Sequence, residues 1–488
     1  MFLIIKEVAM REIVESALLA AKRAGASYAD VRIVQREEES ISTKNGAADA
    51  IRRNESKGFG VRVIANGGWG FSSSFISTPE EAEKVANEAV QIALASSKTK
   101  IADAKIAKVE IYQDKVPQPV KINPFDVPLS KKIAILLEAD KIMNIQGIIV
   151  RKGSMNFSKE WKTFASSEGA YIEQERIVSG AGISAVATDG KEIQVRSYPT
   201  SFGGDFQRKG FELIEEMDLV SHAEETAKQA VALLSAKQCP SGKMDIILKG
   251  AQLALQVHES MGHPAELDRV LGEEASFAGT SFLTPEKLGT FRYGSDVVNI
   301  TADATIPEAL GGFAYDDEGV KAKRIYLVKN GIFVGYLNSR ETSAKLNLEP
   351  MGAMRAENWN RMPIIRMTSI NLEPGDKTLD ELIKGVDYGI LMDINKSWSI
   401  DQNRLNFQFG AEMGWEIKNG KIQGIVKNPS YTGITYEFWR SCDGIANKDF
   451  WHVWGVPNCG KGEPEQVMQV SHGVAPARFR NVQVGVLK

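Results

Sequence analysis

The pattern of apolar and polar residues in the first half of the chain predicts the same order of helices and strands twice. In the first unit, helical spacing covers about residues 10–24, and strand-like alternation follows at 30–34 and 60–64 before an Asn-Gly-Gly turn at 66–68. A helix then opens at 77–81, where a hydroxyl side chain precedes proline and two glutamates. This pattern predicts a helix, a strand meander and a second helix.

The second unit repeats that order further along the chain. Helical spacing covers about residues 130–143, and a hairpin is expected at 181–196 around an Asp-Gly turn. A long amphipathic helix from about 211 to 237 closes the unit. Residues 98–128, which are rich in lysine and contain several prolines, are expected to connect the two units.

The pattern changes after Cys239, where a Pro-Ser-Gly turn precedes short strands separated by turn residues. Strand-like segments at 244–248 and 324–328 are typical of this second half. The sequence therefore predicts an α+β protein with two domains. Residues 1–238 would form an N-terminal α/β domain with a possible internal repeat, and residues 239–488 a β-rich C-terminal domain.

Composition narrows the class of protein without selecting a function. The chain has 488 residues, 43% of them apolar and 25% charged, as in ordinary globular proteins. A net charge of −3 gives no basic field for nucleic acid, and no apolar run approaches the ~18 residues that span a bilayer. Three cysteines suit a reducing compartment. We expect a cytoplasmic protein with no nucleic-acid and no membrane partner.

One hexapeptide carries the chemistry, because it sets two histidines around a carboxylate in a chain with only five histidines. It runs His258-Glu259-Ser260-Met261-Gly262-His263. A match of this kind is expected by chance fewer than about 0.01 times in such a composition. The motif predicts a hydrolytic zinc site with His258 and His263 as metal ligands.

The spacing of the two histidines requires an irregular helix. In a regular α-helix, residue i+5 lies about 140° round from residue i, so both rings could not face one ion. Gly262 could end the helix in the left-handed conformation, and Pro264 disfavours helical geometry at His263. The alternative is a π-bulge, which occurs often at functional sites.

A catalytic zinc site usually has three protein ligands and one open position. The spacing of residues along the chain does not identify the third ligand. The candidates are the ligand-type side chains Glu266, Asp268, Glu273, Glu274, Cys442, His452, Cys459 and His472. Cys459 has the best local argument, because Asn458-Cys459-Gly460-Lys461-Gly462 sets a thiol in a Gly-rich, cationic turn that would favour the thiolate.

The hexapeptide is one of several motifs that together carry a resemblance over nearly the whole chain. The others are Asp316-Asp317-Glu318-Gly319, Arg355-Ala356-Glu357-Asn358, Pro363-Ile364-Ile365-Arg366-Met367-Thr368 and Pro457-Asn458-Cys459-Gly460-Lys461. With them the sequence resembles the TldD branch of the TldD/PmbA (TldD/TldE) family of zinc metallopeptidases. The resemblance implies one zinc ion per catalytic chain, held by His258, His263 and Cys459, with Glu259 as the catalytic carboxylate.

The resemblance also implies a substrate class and a partner. A related subunit, TldE or PmbA, lacks the metal motif and pairs with the catalytic subunit around an enclosed cleavage chamber. This chain keeps the motif, so we expect a catalytic subunit that cleaves small or unfolded peptides, with a TldE/PmbA-like partner or as a homodimer. The segments Trp439–Asp443 and Trp451–Trp454 are more aromatic than expected for bacterial members, which leaves the substrate preference open.

Glu259 would act as general base, taking a proton from water and passing it to the leaving amine. Arg355 and Arg366 are candidates to stabilise an oxyanion, and structural ion pairing is the other interpretation of both. The alternative function is a non-catalytic peptide-binding or regulatory subunit with a structural metal.

Overall fold

The chain is described by a computed structural model over residues 2–485, with the backbone alone for residues 2–9. The α-helices in this range are α1 (Phe2–Arg23), α2 (Pro79–Ser96), α3 (Leu129–Met143), α4 (Glu212–Met217), α5 (Leu219–Ser235), α6 (Gly250–Val257), α7 (Leu267–Val270), α8 (Arg340–Leu346), α9 (Leu379–Lys384) and α10 (Thr435–Arg440). None of the helices in residues 2–485 is long and apolar enough to cross a membrane.

The first half of the chain forms one eight-stranded sheet. Its strands are β1 (Tyr28–Lys44), β2 (Ala47–Ala65), β3 (Gly68–Ser74), β4 (Gln113–Val116), β5 (Ile148–Ser166), β6 (Tyr171–Thr188), β7 (Ile193–Tyr198) and β8 (Asp205–Gln207). Their order is β3-β2-β1-β5-β6-β4, with β7 and β8 also paired to β6. The predicted repeat is present: each unit is a helix, an antiparallel meander and a helical closing segment, and β1 and β5 join the units.

Local turn chemistry explains where this half agrees with the sequence pattern and where it departs from it. Helix α2 begins as predicted, with the Thr78 hydroxyl accepting from the Glu81 amide at 3.3 Å. The predicted single helix at 211–237 is wrong, because Asp218 adopts a φ of 44° and divides it into α4 and α5. The Asp218 carboxylate accepts from the Ser221 amide at 3.4 Å, so the same residue starts the second helix.

The second half is rich in strands, as predicted. They are β9 (Lys237–Gln238), β10 (Gly242–Leu248), β11 (Ile300–Asp303), β12 (Arg324–Lys329), β13 (Ile332–Phe333), β14 (Met354–Arg355), β15 (Ile364–Ile365), β16 (Ile370–Leu372), β17 (Tyr388–Ile400), β18 (Asn406–Lys418), β19 (Lys421–Lys427), β20 (Ser430–Ile434), β21 (Cys442–Ile445), β22 (His452–Lys461), β23 (Gln466–Val474) and β24 (Ala477–Val484).

Strands β17, β10, β24, β20 and β18 form a closed ring of pairings, because β17 also pairs with β18. The core of this half includes Leu253 and Val257 of α6 together with Phe407 and Phe479 of the strands, all buried. Burial of these side chains is the main favourable term that fixes α6 against the sheet. The α+β class is therefore confirmed, and the helix that leads into His258 is anchored in the C-terminal core.

Buried polar contacts join the two halves of the chain. Glu412 on β18 accepts hydrogen bonds from the Ser197 amide at 2.9 Å and hydroxyl at 2.8 Å, and from Arg196 at 3.2 Å, both on β7. Burial raises the pKa of Glu412 to about 7, although Arg196 and Ser197 act in the opposite direction. The ionisation of this carboxyl is thus tied to the contact between the halves.

The acidic motif Asp316-Asp317-Glu318 lies in the same kind of contact. Asp317 accepts from Lys162 of β5 at 2.6 Å, and Glu318 accepts from Arg62 of β2 at 3.2 Å. All three acidic side chains are buried, with Asp316 bonded to backbone amides such as that of Met354 at 3.0 Å. This motif connects the C-terminal half to the first sheet.

Candidate metal centre

The hexapeptide continues α6 as a π-helical turn over His258–Gly262, followed by a 3-10 turn over His263–Ala265. The His263 amide donates to the carbonyl of His258, an i to i+5 bond that closes one wider turn. The wider turn places the two histidines on one side of the helix, with their ring centroids 4.9 Å apart. Of the two predicted geometries, the π-bulge is therefore the one present.

Proline explains why this turn needs support from elsewhere in the chain. In an α-helix the Ser260 carbonyl would accept from the amide of residue 264, but Pro264 has no N–H. The hydroxyl of buried Tyr293 donates to that carbonyl instead at 2.9 Å, and the indole of buried Trp439 donates to the Ser260 hydroxyl at 2.9 Å. Two aromatic side chains thus hold the irregular backbone in place.

Gly262 has a different role from the one predicted for it. Its φ is −56°, an ordinary right-handed value, so a left-handed helix end is not what the turn uses. A Cβ atom at this position would lie 2.2 Å from the Sδ of Met367. The glycine is needed because the turn packs directly against that side chain.

Cys459 reaches the two histidines from the hairpin formed by β22 and β23. The register of this hairpin shifts between Val456 and Cys459, and such an irregularity re-aims the side chains that follow it. Arg366 donates to the Cys459 carbonyl, which fixes the strand at this point. The segment is part of a strand and not the turn expected from its glycines.

The three side chains converge on one point. The Sγ of Cys459 lies 3.5 Å from the Nε2 of His258 and 3.7 Å from the Nε2 of His263. Zinc–sulfur and zinc–nitrogen bonds in tetrahedral geometry would separate sulfur from nitrogen by about 3.6 Å. The ligand atoms all lie within 4.8 Å of one another and all three residues are buried. This donor set fits a zinc ion.

Hydrogen bonds behind the imidazoles leave both Nε2 atoms free. His472 places Nδ1 at 3.1 Å from the Ile370 carbonyl, so its Nδ1 carries the proton and its Nε2 accepts from His258 Nδ1 at 2.8 Å. His263 Nδ1 donates to Glu266 at 3.0 Å. Both ligand rings are thereby fixed as the tautomer with a lone pair on Nε2.

Electrostatics favour the ligand forms of these groups. Burial lowers the pKa of His258 and, more strongly, that of His263, so both rings are neutral. Burial raises the pKa of the Cys459 thiol, but the pKa lies below its usual value; with the His263 ring neutral, the Arg366 guanidinium is the charge that acts against burial. The supporting cation is Arg366 and not the predicted Lys461, whose ammonium is bound to Asp268 at 2.7 Å.

The other candidate third ligands lie elsewhere. Glu266 and His472 stand behind the two histidines, Glu273 is half-exposed beside Lys345, Glu274 is buried beside Arg269, and His452 pairs with Asp205. Cys442 is buried on β21. Of the predicted candidates, the structure brings only Cys459 to both Nε2 atoms.

Glu259 lines a cleft of about 400 Å³ that opens beside the three convergent side chains. The cleft is walled by Phe202, Leu255, Trp398, Ile400 and Val456 and by residues 458–460. Arg404, from the turn between β17 and β18, also lines it and donates to the Glu259 carboxylate. The arrangement brings a carboxylate and a cation together at the mouth of the ligand set.

Arg404 had no signal in the sequence, and the two arginines proposed as oxyanion donors lie elsewhere. Arg355 donates to the carbonyls of Met367 and Gln469, and Arg366 to those of Gln466 and Cys459. Both are buried, and neither lines the cleft. They fix the backbone around Cys459 through bonds to carbonyl oxygens, and within residues 2–485 neither forms the ion pair that was the other interpretation of both.

Known proteins match the chain over most of its length. Family models described as PmbA/TldA metallopeptidase domain 1, central domain and C-terminal domain match residues 29–93, 122–234 and 241–486. A metalloprotease from Methanothermobacter thermautotrophicus is 32% identical over 458 residues, which cover 94% of this chain and 95% of that protein. A zinc metalloprotease TldD homolog from Saccharolobus solfataricus is 25% identical over 474 residues, covering 95% and 98%.

The fold is also similar to that of a solved structure. TldE from Thermococcus kodakarensis superposes with a TM-score of 0.73 and 17% sequence identity. The similarity covers 97% of this chain and 99% of that one. At this level of identity the likeness concerns the fold alone.

Proposed function

Because the chain belongs to the PmbA/TldA family of metallopeptidases, we propose that it hydrolyses peptide bonds in small or unfolded peptides with one zinc ion and Glu259 as general base. The ligands in this proposal are His258, His263 and Cys459. The observation that carries it is the convergence of their ligand atoms within 4.8 Å beside a cleft lined by Glu259. A catalytic zinc site combines three protein ligands with an open side, and a cleft beside three convergent side chains supports this assignment.

Zinc in this position would supply Lewis acidity and lower the pKa of a bound water to about 7. Glu259 accepts the proton of the attacking water and delivers it to the leaving nitrogen when the carbon–nitrogen bond breaks. The neutral rings of His258 and His263 and the Cys459 thiolate give the ligand set a formal charge of −1. Zinc held by this set would acidify a bound water less than zinc held by three neutral ligands. Glu259 therefore matters more as the base that removes the proton.

Three further parts of the proposal concern the whole chain. We propose that it divides near residue 238, since β9 at 237–238 already joins the C-terminal sheet. We propose assembly with a TldE-like non-catalytic partner or as a homodimer, which the fold shared with TldE supports. The thiolate ligand is oxidisable, and Cys239, Cys442 and Cys459 are all free thiols in the structure, so a reducing cytoplasm suits the protein.

The test is zinc analysis combined with cleavage of an unstructured peptide, with and without chelator, on the chain alone and with a TldE-like partner. We expect about one zinc per chain and cleavage that chelation abolishes and zinc restores. Zinc binding without any cleavage, in either assembly, would support the alternative of a regulatory subunit with a structural metal.

Two variants separate the roles of the residues. Glu259→Gln should keep zinc and lose cleavage, whereas Glu273→Gln, at a half-exposed ion pair, should change neither. Cys459→Ser should lose zinc, and Cys442→Ser serves as the matched buried cysteine. Full zinc occupancy in Cys459→Ser would remove the thiol from the ligand set.

A further inference from the structure

The guanidinium of Arg404 is the cation that faces the proposed reaction centre. Its Nη1 donates to the Oε2 of Glu259, and the two side chains are 13% and 8% exposed. Among the described residues that line the cleft, Arg404 is the only lysine or arginine. A cation placed in a partly buried cleft acts on charges there more strongly than it would in bulk water.

The backbone of Arg404 is held in a costly conformation. Its φ of 61° lies in the left-handed region, which a non-glycine residue adopts at a cost on the order of 1 kcal/mol or more. The turn is fixed on both sides: the Arg404 amide donates to the Asp401 carbonyl at 3.0 Å, and the Arg404 carbonyl accepts from the Thr435 hydroxyl at 2.8 Å. Such conformations persist where surrounding contacts determine them, and they cluster at functional sites.

The side chain also has hydrogen-bonding capacity left over. Arginine offers five N–H donors, and the contact to Glu259 uses Nη1. The Nε atom is buried and has no hydrogen-bond partner within residues 2–485. The guanidinium therefore has donor groups that the Glu259 contact does not use, and Arg404 lines the cleft.

We propose that Arg404 is a further catalytic residue, which donates a hydrogen bond to the scissile carbonyl oxygen as that oxygen becomes negatively charged and which positions the Glu259 carboxylate through the same guanidinium. The proposal rests on the peptidase function proposed above. In the addition step the water oxygen bonds to the carbonyl carbon and the carbon–oxygen π pair moves to the carbonyl oxygen. Glu259 takes the water proton and later gives it to the amine as the carbon–nitrogen bond breaks; Arg404 transfers no proton.

The charge of the ligand set explains why a cation in addition to zinc would help to stabilise the oxyanion. A thiolate ligand offsets one positive charge of the metal, which leaves less positive charge to stabilise an oxyanion than three neutral ligands would. Arg404 supplies a preorganised donor, and removing one donor of this kind typically lowers kcat by about 100- to 1,000-fold.

The test compares Arg404→Met and Arg404→Lys with Arg292→Met, a control that removes an exposed arginine paired with Asp296. Zinc content is measured first. Kinetics on an unstructured quenched-fluorescence peptide are then compared with calorimetric affinities for two ligands: a phosphinic analogue of that peptide, which mimics the tetrahedral oxyanion, and the uncleaved peptide in a Glu259→Gln background.

We expect normal zinc content in all variants, a kcat for Arg404→Met about 100-fold or more below wild type, and KM within about threefold. Phosphinate affinity should fall in parallel with kcat/KM while affinity for the uncleaved peptide is kept, and Arg404→Lys should lie between Arg404→Met and wild type. A merely structural ion pair would lower thermal stability or zinc content without this selective loss of phosphinate.

Near-normal kcat/KM in zinc-loaded Arg404→Met, or equal loss of phosphinate and peptide affinity, would overturn the role of Arg404. If Arg404→Met does not fold, Arg404→Lys decides: wild-type kcat and phosphinate affinity in that variant count against a specific arginine donor. Absence of cleavage and of phosphinate binding in the wild type with its partner is a different result, because it rejects the peptidase function itself.

Discussion

Replacing His472 by phenylalanine should weaken zinc binding although His472 is not itself a proposed ligand. The residue is fully buried, and its Nε2 accepts the Nδ1 proton of His258 at 2.8 Å. Phenylalanine keeps an aromatic ring at this position and removes the acceptor. The His258 N–H would then be buried without a partner.

The magnitude follows from that unpaired group. A buried donor that has lost its acceptor costs about 1–3 kcal/mol. Without metal, His258 can escape the cost by moving its proton to Nε2, but the metal-bound form needs the Nε2 lone pair. The whole cost therefore falls on zinc binding and corresponds to about a 5- to 150-fold weaker Kd. Loss of groups that orient metal ligands typically costs about 10- to 100-fold, in agreement.

The assay is competition for zinc against a chelator of known affinity at fixed pH. His472→Gln retains a carbonyl acceptor and should bind zinc within about tenfold of wild type, between the wild type and His472→Phe. His222→Phe, an exposed histidine on α5, is the control for removing any histidine. A wild-type Kd in His472→Phe would refute the argument, since His258 would then not depend on this acceptor or would not be a ligand.

Three other changes have expected outcomes. The pKa of Glu412 is raised from near 4.5 to about 7, so its contribution to stability is complete below pH 4.5 and is lost as the pH rises through 7. We therefore expect the free energy of unfolding of wild type, relative to that of Glu412→Gln, to be about 3 kcal/mol higher at pH 4.5 than at pH 7.5. Denaturant titrations at the two pH values measure this, and a difference that does not change with pH would contradict it. Gly262→Ala should destabilise the protein by about 1–3 kcal/mol in the same assay, because its Cβ meets Met367, and the loss caused by Gly262→Ala should be smaller in a Met367→Ala background. Chelation should lower the thermal midpoint of wild type and leave that of Cys459→Ser unchanged.

The sequence pattern predicts most elements of the fold, because the N-terminal helices and strands carry regular periodicity and clear turn residues. The sequence did contain an indication that the predicted 211–237 helix is divided. Asp218 is a residue type that caps helices, and its side chain accepts from the amide of Ser221, three residues further on. Strand β4 had none: it lies in the predicted connector and exists through parallel pairing with β6. Pairing of that kind depends on a distant segment and leaves no local pattern.

At the candidate metal site, too, contacts with distant segments could not be predicted from local sequence. The i, i+5 spacing of His258 and His263 required an irregular helix, yet local rules allowed two geometries. Contacts with Tyr293 and Met367, which come from other parts of the chain, accompany the one observed. Arg404 could not be identified from its own neighbourhood, because its role depends on a turn that brings it to Glu259 across 145 residues.

The distance along the chain between the two parts of the proposed zinc site has a consequence during protein synthesis. Cys459 follows His258 by 201 residues and His263 by 196. A ribosome that adds about 5–20 residues per second would need on the order of 10–40 s between them. Throughout that interval the nascent chain holds the histidine pair without its thiolate. A peptidase built in this way cannot attack neighbouring nascent chains before Cys459 has been synthesised.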